Sequence, residues 1–236
     1  MKKYSFLLFL LLIFFTISAQ EKNSWDYPVK PGSEKWRTYK TGQEMVEACQ
    51  IPDDVLNKLS TQELVKIILD YPLLFDYMAS NDERKGISFM IENFNGLKEL
   101  SKRKDGTSEL IRIYSEYPIL SGKIPFDIAK KTDYPYKIQF LEILIADDVF
   151  MAQLNNNEII GLGKIVINKY GGKLDSPEIY SLYNIKKTLL LGAVSAHRQT
   201  KTRSMEQQNI LEEFINNFNH SDPELLTKIS KIVCGL

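Results

Sequence analysis

The residues that could do chemistry in this chain of 236 are few and scattered. Its two histidines, His197 and His220, stand in different segments between helices. Neither has a second ligand at the helical spacing that zinc hydrolases use to present two imidazoles to one ion. Both therefore read as exposed loop histidines. Adjacent carboxylates occur at Asp53-Asp54 and Asp147-Asp148. Glycoside hydrolysis needs two carboxyl groups facing one bond, but neighbours in sequence do not share a helix face. The first pair follows Pro52, where negative charge complements a helix start, and the second marks a helix junction. "GLGK" at 161–164 would need a glycine at 158 to be a phosphate loop. Glu158 stands there, so the glycines read as small residues for close helix packing. A Gly-x-Ser-x-Gly nucleophile elbow is absent. These residue types assign no catalytic, cofactor or metal site.

Two stretches remain as candidates for ligand or partner contact. "QEKNSWDYPVKPGSEKWRTYK" at 20–40 holds both tryptophans, Trp25 and Trp36, among tyrosines, prolines and Gly32, with no helical period. It reads as an extended strap whose rings cover the edge of the first helices, since such rings bury large apolar areas. The sharper alternative is an aromatic platform for a glycan or peptide. "HRQTKTR" at 197–203 is the most concentrated basic stretch, with Arg198, Lys201 and Arg203 beside His197. A solvated connection between two long helices accounts for it, with Arg198 neutralising the preceding helix C-terminus. A contact for an acidic glycan or partner protein is the alternative.

The first nineteen residues set the compartment. Lys2 and Lys3 precede an unbroken apolar run from Phe6 to Phe15, and small residues follow at Ser18 and Ala19. The run is too short for a bilayer, which needs roughly 20 apolar residues. The order charged, apolar, small is that of a cleaved export signal. Residues 1–19 are thus expected to be removed, leaving a periplasmic or secreted protein with no membrane span. Without Lys2 and Lys3 the 30 basic residues become 28 against 30 acidic ones, a net charge of −2. Nucleic-acid binders carry a basic surface instead. An oxidising compartment permits a bridge between Cys49 and Cys234. In an extended array, however, the first and last helices stand too far apart for disulfide geometry, so two free thiols are expected.

The architecture is written in repetition. "TQELVKIILDYPLL" at 61–74 returns as "TSELIRIYSEYPIL" at 107–120, with seven of fourteen positions identical and four more conservatively replaced. Leu64, Val65, Ile67, Ile68 and Tyr71 mark one helix face, and Leu110, Ile111, Ile113, Tyr114 and Tyr117 repeat it. Pro72 and Pro118 then stop each helix near its tyrosine. The same acidic-Tyr-Pro triplet recurs at 26–28 and 133–135 and reads as the same stop.

Thr41/Glu44, Ser60/Glu63 and Ser221/Glu224 have the form of capping boxes, and Asn155/Glu158 keeps the spacing. Further helices are expected at 82–93, 96–103, 136–147, 156–170 ending at Gly171-Gly172, 177–196, 204–218 and 223–233. No stretch has strand character. A period of 46 residues lies within the range of paired-helix repeats. The expected fold is therefore an all-α, irregular HEAT/armadillo-like helical-repeat array, with an irregular helical bundle as the alternative. Residues 41–236 form one helical domain.

The run "PGSEKWRTYKTGQEMVEACQIPDDVLNKLSTQELVKIILDYPLLFDY", with "FNGLKELSKRKDG" further on, resembles an uncharacterised family of exported proteins from Bacteroidetes-type bacteria. Trp36, Gln50-Ile51-Pro52, Leu59-Ser60-Thr61, Tyr71-Pro72 and Phe94-Asn95-Gly96 carry the resemblance, over roughly residues 31–120. It implies a compartment and a related fold, and carries no activity. The functional expectation is a non-enzymatic exported array that offers a surface to another envelope or secreted protein. A carbohydrate-binding or carbohydrate-processing module of the envelope is the alternative. No cofactor and no nucleic acid are expected.

Overall fold

The computed structural model describes residues 25–120, 133–199, 203–218 and 222–235. The expected export signal, Lys201, His220 and the Ser221 cap lie outside the described residues. Every regular element among those described is helical, with no strand. Twelve α-helices follow one another: α1 (Gly42–Ala48), α2 (Asp53–Leu56), α3 (Thr61–Leu69), α4 (Glu83–Asn93), α5 (Asn95–Leu100), α6 (Gly106–Glu116), α7 (Tyr134–Ile145), α8 (Asp148–Met151), α9 (Asn156–Leu174), α10 (Leu182–Arg198), α11 (Met205–Asn216) and α12 (Pro223–Cys234).

The order has a rhythm of three. A short helix (α2, α5 or α8) leads into a long one (α3, α6 or α9), and a return helix (α4, α7 or α10) follows. The long helices α3 and α6 pack together, and the return helices stack in the order α4, α7, α10. Around α10 the array closes into a bundle, because α7, α9, α11 and α12 all pack against it. One continuous apolar core runs from Tyr27 through Leu64, Leu110 and Leu162 to Ile229.

Polar bonds tie neighbouring units at nearly the period of the sequence echo. Asn95 accepts from the Ile51 N–H at 3.0 Å and donates to the Ile51 carbonyl at 2.7 Å, a separation of 44 residues. Arg103 Nη1 donates to the Leu59 carbonyl at 2.8 Å, and the Thr61 hydroxyl donates to Asp105 at 2.9 Å, again 44 apart. One unit later Thr107 donates to Gln153 Oε1 at 2.8 Å, 46 residues away. The motif recurs because each unit presents the same edge to the next.

Helix starts follow the capping chemistry of the sequence, with differences. Ser60 and Asn155 each accept from the backbone of a glutamate that reaches back to the cap, a complete box. Thr41 accepts from the Glu44 N–H, but Glu44 turns to the Lys40 N–H instead of closing the box. Asp222 caps α12, its side chain accepting from the Leu225 N–H. Helix α9 does not stop at Gly171-Gly172 but continues to Leu174. Tertiary packing overrides the glycine signal, since Gly172 lies against Ile119 and Lys173 must reach a buried partner. Helix α10 starts at Leu182, not at Pro177, because Ser181 and Asn184 form a box there. The triplet 133–135 opens α7 instead of stopping a helix, with Pro135 in the first turn, where a missing N–H costs nothing.

Gly161 and Gly163 do not mark a close approach: a methyl at either meets nothing nearer than 3.4 Å. Gly192 does, its added methyl lying 2.6 Å from Val233 on α12. In the strap, Tyr27 and Val29 are buried, and the Tyr27 hydroxyl donates to the Ile67 carbonyl at 3.2 Å. Its ring packs on Tyr71, which stacks on Phe94 at 4.0 Å. The strap thus seals the end of the first unit.

Candidate functional site

The sequence-based candidates do not converge. Trp25 meets Tyr27 edge-on at 4.6 Å, and Trp36 meets Tyr39 at 6.1 Å, so each ring serves the strap. His197 and Arg198 are not in a loop but on the last turn of α10, where His197 lies 3.3 Å from Glu212. Arg198 pairs with Asp148 at 2.6 Å, so half of the second carboxylate pair is neutralised by a residue from the basic stretch. The helix C-terminus is served by Arg203 instead, whose Nη1 donates to the Ala196 carbonyl at 2.6 Å. Asp147 caps α8, and Asp53-Asp54 open α2. Among the described residues no group of three or more His, Cys, Asp and Glu could hold a metal ion.

The strongest polar constellation was not among the sequence candidates. At the centre of the fold, Glu142 of α7 and Lys173 of α9 form an ion pair at 2.8 Å with both side chains 0 % exposed. Tyr114 of α6 donates to Glu142 at 2.9 Å, and Thr188 of α10 donates to it at 2.8 Å while accepting from Lys173 at 2.8 Å. Four helices therefore meet on one carboxylate. Burial lowers the Lys173 pKa and Glu142 opposes the shift. All four side chains are fully buried, so the chemistry of the group is cohesion: it fixes one angle at which the second and third units dock. Glu142 was visible in the sequence as a lone charge within "IQFLEILI", a run otherwise almost wholly apolar.

A second buried pair joins the first unit to the third. Lys187 Nζ of α10 stands 3.1 Å from Glu83 of α4 without hydrogen-bond alignment, and 3.2 Å from the centre of the Tyr183 ring. This pair locks α4 to α10.

With its inner side fixed, α4 presents its outer side as a ridge. One flank, through Gly86, Phe89, Met90 and Asn93, lines a depression of about 480 Å³ completed by Val46, Tyr71, Leu73 and Phe94. The other flank, through Arg84, Ser88 and Glu92, lines a polar depression of about 700 Å³ with Asp147, Val149 and Ile215. A third, of about 470 Å³, continues it, sharing Arg84, Asp148, Ile215 and Asn216. Lys85 borders both flanks, and Phe89 is 60 % exposed beside it. Gly86 lets α4 seat deeply, since an added methyl would stand 2.7 Å from the Tyr77 carbonyl.

Electrostatics differ between the flanks. Asp76 borders the apolar depression, and partial burial raises its pKa. In the polar one, Arg84 donates to the Ile215 carbonyl at 3.1 Å and Asp148 is held by Arg198. Asp147 accepts from the Ser88 hydroxyl and the Val149 N–H, neither of them charged. The sequence pointed at this surface through Asp147-Asp148 and through His197 and Arg198, which line the third depression. Phe89 stood unremarked because it lies outside the apolar stripe of its helix. The comparisons with protein-family models, curated proteins and solved structures find no match to the chain.

Proposed function

We propose that this is an exported, non-catalytic binding protein, a helical array that holds a segment of another envelope or secreted protein across the ridge of α4. One observation carries the reading: depressions on both flanks of one helix, with a large aromatic side chain 60 % exposed between them. An exposed aromatic beside a partly apolar hollow is the anatomy of an interaction surface. Stacked helical arrays commonly bind through such extended faces, an analogy at the level of fold. Export is supported by the charged, apolar and small residues of 1–19 and by the resemblance over 31–120.

The test is selection of a random peptide library on the immobilised protein, with Phe89→Asp as counter-screen. Phe89 is exposed, so the variant keeps its fold. Peptides enriched on the wild type are expected to lose at least tenfold in affinity for Phe89→Asp. No enrichment, or peptides that bind the variant equally well, would overturn the reading.

A further inference from the structure

The two flanks of α4 differ in chemistry, and that difference identifies what crosses it. We infer that the bound segment carries an apolar side chain and, three or four residues away, a lysine or arginine. The inference rests on the ridge reading above and names the partner of that same surface.

The apolar end comes from the first depression. Val46, Tyr71, Leu73, Met90 and Phe94 wall it, and Phe89 flanks it from the ridge. A leucine-sized side chain placed there gains the transfer energy of a buried aliphatic group. The basic end comes from charge balance. Five carboxylates border the two depressions against Arg84 and Lys85. Asp148 is neutralised by Arg198, and Asp82 lies within 3.9 Å of Lys85. Among the described residues no cation pairs with Asp76, Glu92 or Asp147. Asp76 borders the apolar hollow, while Glu92 and Asp147 both line the polar one. A cation arriving beside Glu92 and Asp147 therefore meets unneutralised charge, and an anion is repelled.

The spacing follows from the helix between them. An α-helix with its side chains is about 10–12 Å across. An extended chain advances roughly 3.3 Å per residue. Crossing α4 thus takes three to four residues, with the chain passing over Phe89 on the way.

The experiment uses fluorescence anisotropy with labelled probe peptides of two leucines and two lysines. In the first probe three serines separate the leucines from the lysines, in either order. The second has glutamates for the lysines, and the third has the lysines directly beside the leucines. The first probe is expected to bind at least tenfold tighter than either other, with affinity falling as salt is raised. Glu92→Lys, an exposed substitution with no partner to lose, is expected to weaken the first probe severalfold and the second not at all. Equal binding of the lysine and glutamate probes, or indifference to Glu92→Lys, would overturn the inference. A glutamate probe that binds the wild type better and fails on Phe89→Asp would overturn the charge assignment while leaving the ridge reading intact. So would failure of all three probes where library-selected peptides still depend on Phe89. Library peptides that ignore Phe89 would overturn both.

Discussion

Lys187 has its Nζ 3.1 Å from Glu83 and no exposed side-chain surface. Burial lowers its pKa to about 8 from an ordinary 10.5, with Glu83 opposing the shift. Below pH 8 folded and unfolded chains both carry the proton, and the buried cation costs its full desolvation. Between 8 and 10.5 the unfolded chain binds more protons, so stability rises with pH across that window. Urea denaturation from pH 7 to 9.5 should therefore show a rise that shrinks in the Glu83→Gln/Lys187→Met double variant. Parallel profiles would contradict it. At the deeper pair, Lys173→Ala strands Glu142 and should cost about 3–5 kcal/mol, while Glu142→Leu/Lys173→Met should cost much less. Thermal or urea unfolding of the two variants makes the comparison. A lone glutamate in an apolar run was legible in the sequence as a buried charge. Its partner was not, because Lys173 follows Gly171-Gly172, where propensity ends a helix, and its contacts with the core, Gly172 on Ile119 and Lys173 on Glu142, are distant in sequence.

At the scale of elements, the sequence echo makes a quantitative demand. Leu64 on α3 and Leu110 on α6 are both fully buried in equivalent positions of successive units. Truncating either to alanine should cost roughly 2–5 kcal/mol, and the two costs should be similar. Denaturant midpoints of the two variants check this, and a severe loss at one with none at the other would break the equivalence of the units. Gly192→Ala should cost about 1–3 kcal/mol by forcing Val233 and α12 outward. Most helices could be read from apolar spacing and caps, because these are local signals. At Gly172 a contact with Ile119, distant in sequence, decides and the local rule points the wrong way, whereas at Pro135 and Ser181 a second local signal, a first-turn proline or a capping box, outweighs the first. The ridge of α4 was illegible because it is assembled from segments distant in sequence. Ser88 and Asp147 come together only when the chain ahead of α8 docks on α4, and no spacing within either segment announces it.

At the scale of the whole molecule, the repeat and the bundle describe different ends. Successive units stack through bonds 44–46 residues apart, and the last helices then wrap α10. Cys49 is buried in the first unit, where burial raises its thiol pKa to about 11, and Cys234 ends the last helix; both are free. Thiol titration should find two groups after denaturation without reductant, and Cys49 should be unreactive in the native protein. A single disulfide and no free thiol would contradict this arrangement.

The central claim is that the two flanks of α4 hold one partner segment, and hydrogen exchange with a library-selected peptide tests it most directly. A segment lying across the ridge should slow amide exchange on α4 (Glu83–Asn93), on α8 (Asp148–Met151) and in the Asp76–Ala79 turn beside the apolar hollow. Amides of α9 (Asn156–Leu174) should be unchanged. Protection confined to the strap or to α9, with none on α4, would contradict it.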